Sequence, residues 1–232
     1  MKKLWLLGLL MAVSNAVFAF PTIYGWSGGV EVPTASAQTG WAIAANNSTQ
    51  DNPVIPTMFL TAGVIPNLEI SAGFSKPDTG SKDGLIGAKY VLPFDLLGGK
   101  TAVGAAYNVL DTAGNGDKIV DLYASGTFPI YGCDLTLAAD CFQEKMTTTT
   151  GGVTTRSTLK KLSPQIALAK KLDKGGCVGL EGVFNTGGDN YANAFVIVPL
   201  SDRLMGRLAW SGINSSDGVT TLIGVEYTFA GK

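Results

Sequence analysis

Twelve stretches of this chain alternate apolar residues with polar or small ones, and the alternation restarts after each cluster of Gly, Asn, Asp or Pro. A period of two sends successive side chains to opposite faces of a strand. Each stretch therefore has one apolar face and one polar or small face. Residues 68–75 are the clearest case: Leu68, Ile70, Ala72 and Phe74 alternate with Glu69, Ser71, Gly73 and Ser75. Residues 203–211 repeat the theme, with Leu204, Gly206, Leu208 and Trp210 set against Arg203, Met205, Arg207, Ala209 and Ser211. The pattern predicts strands near 40–47, 57–65, 68–75, 84–92, 100–110, 117–127, 133–140, 161–171, 177–186, 191–199, 203–212 and 219–229. The expected range is ten to fourteen, because 133–140 is short, Phe195 and Ile197 make both faces of 191–199 apolar, and the segment before residue 40 could add strands.

Most of these stretches have about the 9–11 residues that a tilted strand needs to cross a bilayer. Their connections sort into two classes. Pro66-Asn67, 93–99, 129–132, 173–176 and 200–202 are short; 48–56, 76–83, 111–116, 141–160 and 213–218 are mostly longer and more polar. Short turns at one end and longer loops at the other fit an even-stranded transmembrane barrel with both chain ends on the short-turn side. Aromatic residues support this reading. Trp41, Tyr90, Phe94, Phe128, Tyr131, Tyr227 and Phe229 fall at the short-turn ends, and Phe74, Tyr107, Phe184, Tyr191 and Trp210 at the other. Two interfacial girdles would have this distribution, which the filling of a soluble β-sandwich core does not require. The expected fold is an all-β, antiparallel, up-and-down transmembrane barrel of about 12 strands over residues 40–229.

The N-terminus reads as a cleaved signal peptide over residues 1–19. Lys2 and Lys3 precede the apolar run Leu4–Val13, and Val17-Phe18-Ala19 supplies the small residues of a cleavage site. The run is short for a spanning helix, and no later segment is continuously apolar over such a length, so any membrane crossing falls to strands. Removing the two leader lysines leaves 15 basic against 18 acidic residues, a net charge of −3. That balance argues against a nucleic-acid partner. Cys133, Cys141 and Cys177 form an odd set, compatible with one disulfide and one free thiol. Their spacing matches no metal motif, and the chain has no His, so neither a metal site nor another cofactor is expected. The lack of His also excludes Ser-His and Asp-His catalytic devices, and no nucleophile motif stands out, so the chain does not read as an enzyme.

With apolar faces toward lipid, the opposite faces line the interior. The alternation puts Glu69, Lys89, Asp121, Tyr123, Gln165, Glu181, Arg207 and Glu226 there. The charged layer is expected to comprise Glu69, Lys89, Asp121, Glu181, Arg207 and Glu226, with cross-strand pairs Glu69–Lys89 and Arg207–Glu226 near the short-turn end. Two roles compete for it: ion pairs that fill a narrow lumen, or a constriction that selects solutes. No aggregate of basic residues along the sequence points to an anionic substrate.

Two motifs resemble known outer-membrane barrels. Residues 222–229 read Leu-Ile-Gly-Val-Glu-Tyr-Thr-Phe, and Gly224, Tyr227 and Phe229 are similar to the terminal Gly-x-x-aromatic-x-Phe pattern that barrel assembly machinery reads. Three residues, 230–232, follow as a tail, and Leu222 departs from the pattern. Near the other end, Gly29-Val30-Glu31-Val32-Pro33-Thr34-Ala35, followed by Gly40, resembles the opening of a group of poorly characterised bacterial outer-membrane barrels that includes exopolysaccharide-associated ones. Gly87 to Pro93, Ala102-Val103-Gly104 and Leu122 to Ser125 carry further echoes. The resemblance covers about the first half of the exported chain. It implies a diderm outer-membrane location, with outer-membrane lipid and the assembly machinery as partners, and no agreed reaction. Residues 20–39 are expected to form an N-terminal segment that either plugs the periplasmic mouth or trails as a leader. The expected function is a narrow porin-like channel for small solutes. The alternative is a closed, non-conducting barrel that serves as an envelope scaffold, for instance in polysaccharide export.

Overall fold

A computed structural model describes residues 32–37, 40–49, 54–75, 83–110, 117–150, 153–173, 175–186, 188, 190–216 and 218–229. Residues 1–19, expected to be a signal peptide, residues 20–31 and the tail 230–232 lie outside the described residues. Twelve strands follow in chain order: β1 (Trp41–Thr49), β2 (Val54–Ile65), β3 (Leu68–Ser75), β4 (Asp83–Val91), β5 (Lys100–Leu110), β6 (Asp117–Ile130), β7 (Cys133–Thr150), β8 (Val153–Lys171), β9 (Cys177–Val183), β10 (Tyr191–Pro199), β11 (Leu204–Ile213) and β12 (Thr220–Phe229). Each pairs antiparallel with its sequence neighbours. β12 closes on β1, from Trp41 opposite Phe229 to Thr49 opposite Thr221. Closure leaves no sheet edge, as a barrel in lipid requires.

The two faces divide as the alternation predicts. Trp41, Ile43, Leu60, Ile70, Phe74, Ile86, Val103, Leu122, Leu180, Ile223 and Val225 point outward and are exposed, forming an apolar belt toward lipid. Glu69, Lys89, Asp121, Glu181, Arg207 and Glu226 point inward and are buried. The turns are tight at the end that carries both chain termini. At Pro66-Asn67, Asn67 takes a positive φ of 70°, a conformation that Asn tolerates better than most residues.

Three expectations are corrected. Of residues 141–160, read as a Thr-rich loop, 141–150 and 153–160 instead form the upper parts of β7 and β8, which run 18 and 19 residues and pair out to Thr150 opposite Val153. Thr is β-branched and favours strands, so polarity alone misassigned the segment. The hairpin projects roughly 8 residues beyond the span a membrane needs. Pro164 lies within this extended β8, opposite Ala139. Its other neighbour, β9, stops there: Gln165 opposite Val183 is the last pair, so the missing N–H falls where the ladder ends. Tyr191 points into the lumen, on the same face as Asn193 and Phe195, and does not join the outer girdle. Cys133, Cys141 and Cys177 are free thiols. Cys133 and Cys141 lie eight residues apart on β7, and Cys177 faces inward two strands away, so no pair comes within bridging distance.

Candidate functional site

The lumen is built from the inward positions of every strand, and its lower half is packed. Lys89 on β4 lies directly opposite Glu69 on β3. Their ion pair measures 3.3 Å, and both side chains are 0% exposed. Arg207 on β11 lies opposite Gly224, while Glu226 lies opposite Met205. Glu226 is thus two residues nearer the chain end than the position facing Arg207, a diagonal neighbour and not a directly opposed partner. Arg207 is attracted by both Glu181 and Glu226, which approach it from β9 and β12. Asp121 stands apart from these charges. It lies two residues beyond Tyr123 toward the outer end, beside Asp140, which is opposite Tyr123.

Hydrogen bonds tie the inner groups to one another. Gln165 Nε2 donates to Asp140 Oδ2 at 2.5 Å, and Asn193 Nδ2 donates to Glu181 Oε2 at 3.0 Å. Ser163 Oγ donates to Asn185 Oδ1 at 2.6 Å. Asp140 and Asn193, which sequence reasoning did not single out, are therefore members of the inner network. Their inward position was readable from the alternation that placed Gln165 and Glu181.

Residues 32–37 lie inside the barrel. The Val32 amide donates to Glu181 Oε1 at 3.4 Å, and the Ala35 amide donates to Thr127 Oγ1 at 3.0 Å. Thr127 Oγ1 also shares a hydrogen bond of 3.0 Å with Thr136 Oγ1. Val32 packs on Ala138 and Ala167, and Ala35 on Val91 and Ala102. These contacts carry the segment from the β9 wall to the β6 wall at the end where the chain termini lie. Small inward residues on β4, β5, β7 and β8 make the room it occupies.

The remaining inner space is filled in two ways. Cys177, Phe195, Ile197, Ala209 and Leu222 form an apolar cluster along β9–β12, with Ala169 and Met205 packed against it. In addition, three inward aromatic rings each cover a glycine directly across the ladder: Phe59 over Gly73, Tyr123 over Gly104 and Phe195 over Gly179. A Cβ at Gly73 would come within 2.6 Å of the Phe59 ring, and Gly104 and Gly179 meet their rings as closely. The space in front of these glycines belongs to the rings.

The terminal motif lies on β12. Tyr227 and Phe229 point outward and meet edge to face, with ring centroids 5.1 Å apart, while Gly224 takes its place opposite Arg207. Among the described residues, no group of three or more His, Cys, Asp or Glu could hold a metal ion.

No protein family and no curated protein matches the sequence. Solved structures do match the fold. A KdgM porin in complex with disordered oligogalacturonate superposes with a TM-score of 0.66 at 12% identity, covering 82% of this chain and 99% of that one. The NanC porin gives 0.59 at 9% identity, covering 82% and 100%. The outer-membrane protein Omp33 of Acinetobacter baumannii gives 0.50 at 12% identity, covering 82% and 98%. The chain has the fold of bacterial outer-membrane porins, a closed barrel of twelve antiparallel strands with a lipid-facing apolar belt.

Proposed function

We propose that this protein is a narrow outer-membrane channel that rests closed, with the N-terminal segment as its stopper. The observation that carries the proposal is the placement of residues 32–37 within the lumen. Their backbone is held by side-chain acceptors, Glu181 and Thr127, and by small apolar contacts, so the segment can leave without breaking the barrel's own ladder. The likeness of fold to porins supports the channel class. The lumen also argues for a kind of solute. Among the described buried residues it holds five carboxyl groups (Glu69, Asp121, Asp140, Glu181 and Glu226) against two basic ones, Lys89 and Arg207. A neutral or cationic small solute suits such a wall better than a polyanion such as the oligogalacturonate named with the KdgM porin.

A second reading is a permanently closed barrel that presents its loops to envelope partners. The buried Glu69–Lys89 pair and the apolar cluster around Ile197 favour it, because neither would move with the N-terminal segment. Planar-bilayer recording separates the two. A silent wild type with steady current after deletion of residues 20–38 supports the stoppered channel. Silence in both, persisting in Arg207→Ala and Glu226→Ala, supports the closed scaffold.

A further inference from the structure

We propose that the outward face at the outer ends of β6, β7 and β8 binds the phosphate groups of the outer-leaflet glycolipid. Lys118, Lys145, Arg156 and Lys160 span 43 positions of sequence and look unrelated there. The register brings them together. Lys118 on β6 lies directly opposite Lys145 on β7. Lys145 in turn lies opposite Thr158, so Arg156 and Lys160 flank it diagonally on β8. All four side chains are exposed.

They share the lipid-facing side of the barrel. Lys118 has the same parity as the outward Val120 and Leu122, Lys145 that of Leu137, and Arg156 and Lys160 that of Leu162 and Ile166. Lys118 lies two residues beyond Val120, and Lys160 two beyond Leu162, so the cluster begins where the apolar belt ends. The end is the outer one, opposite the chain termini and short turns. Anionic headgroups lie at that level.

Like charges directly opposite on a ladder oppose sheet formation, and a solvated face ordinarily intersperses acids to relieve them. Here the acids of the same strands, Asp117, Asp121, Asp134, Asp140 and Glu144, all occupy positions of inward parity, and so does Lys161, whose Nζ sits 5.6 Å from the Phe142 ring centroid. No acidic partner stands beside the four outward cations among the described residues. The charge they leave uncompensated is complementary to a lipid carrying several phosphates fixed at the same depth, which engages neighbouring cations at once where free phosphate would meet them singly.

The test uses the full exported protein, folded in detergent micelles, with lipopolysaccharide added and bound glycolipid read by native mass spectrometry. The wild type is expected to retain phosphorylated lipopolysaccharide at least tenfold more tightly than enzymatically dephosphorylated lipopolysaccharide. Lys118→Gln/Lys145→Gln/Lys160→Gln should lose that preference, with folding checked by heat-modifiable gel mobility and the single variant Lys145→Gln standing in if the triple variant misfolds. Lys170→Gln, outward on β8 at the other rim, should keep it. Equal binding of both lipids by the wild type, an unchanged preference in the Lys145-containing variants, or full displacement by inorganic phosphate at equal phosphate concentration would each overturn the proposal.

Discussion

The amide of Val32 donates to the carboxylate of Glu181, a residue 149 positions further along the chain, inside the closed wall of the barrel. A hydrogen bond to a charged acceptor contributes about 1.5–3 kcal/mol. Val32→Pro removes the donor and leaves the apolar bulk largely in place. Added protease should then clip residues 20–38 of the folded protein several-fold faster than in the wild type, read on gels against time. An unchanged rate would mean that this bond does not hold the segment.

Lys89 and Glu69 are buried together without exposure, so removing one partner strands the other. Lys89→Met should destabilise the barrel by roughly 3–5 kcal/mol, and the double variant Lys89→Met/Glu69→Leu should recover most of that loss. Urea-induced unfolding in lipid vesicles measures both. Recovery in the double variant would also show that the pair is not needed to build the barrel.

The ring of Tyr123 occupies the space in front of Gly104. Gly104→Ala should cost about 1–3 kcal/mol through overpacking, and Gly104→Ala/Tyr123→Leu should be milder than the single change. The same unfolding assay reports it.

Cys177 is 0% exposed in the lumen, whereas Cys141 is exposed on the outward face. A small maleimide added to the protein in detergent should label Cys141 rapidly and Cys177 only after heat unfolding. Rapid labelling of Cys177 in the folded protein would indicate an interior open to solutes at rest.

If deletion of residues 20–38 yields current, the five inner carboxyl groups predict that cations carry most of it. The reversal potential under a potassium chloride gradient should take the sign for potassium. Asp121→Asn/Asp140→Asn should reduce the preference.

Much of the barrel was legible because lipid and lumen impose opposite demands on alternate residues. The inward position of each charge named from the sequence followed from parity, and the Glu69–Lys89 pair from depth, since Glu69 lies three residues beyond Pro66 and Lys89 four before Pro93 at the same end of the barrel. The Arg207–Glu226 register was less legible. The β11–β12 pairing sets Arg207 against Gly224, and parity cannot distinguish a direct partner from one two residues away. The upper β7–β8 hairpin was missed because its Thr-rich sequence is polar on both faces above the membrane, where the alternation loses its cause. The cation cluster was invisible for a different reason: its members meet across three strands, and only the register brings them together. The apolar cluster around Phe195 and Ile197 left a trace, since both faces of β10 read as apolar, but the sequence alone did not show that its inner face packs against β9, β11 and β12.

The three ring-over-glycine contacts bear on how such a chain can drift. A methyl group gained at position 73, 104 or 179 collides with a ring on the adjoining strand, whereas loss of the ring first makes the methyl group harmless. Among descendants of this sequence, these positions should change in couples, the aromatic member yielding before the glycine. Drift at position 104 would then be traceable to an earlier event at position 123.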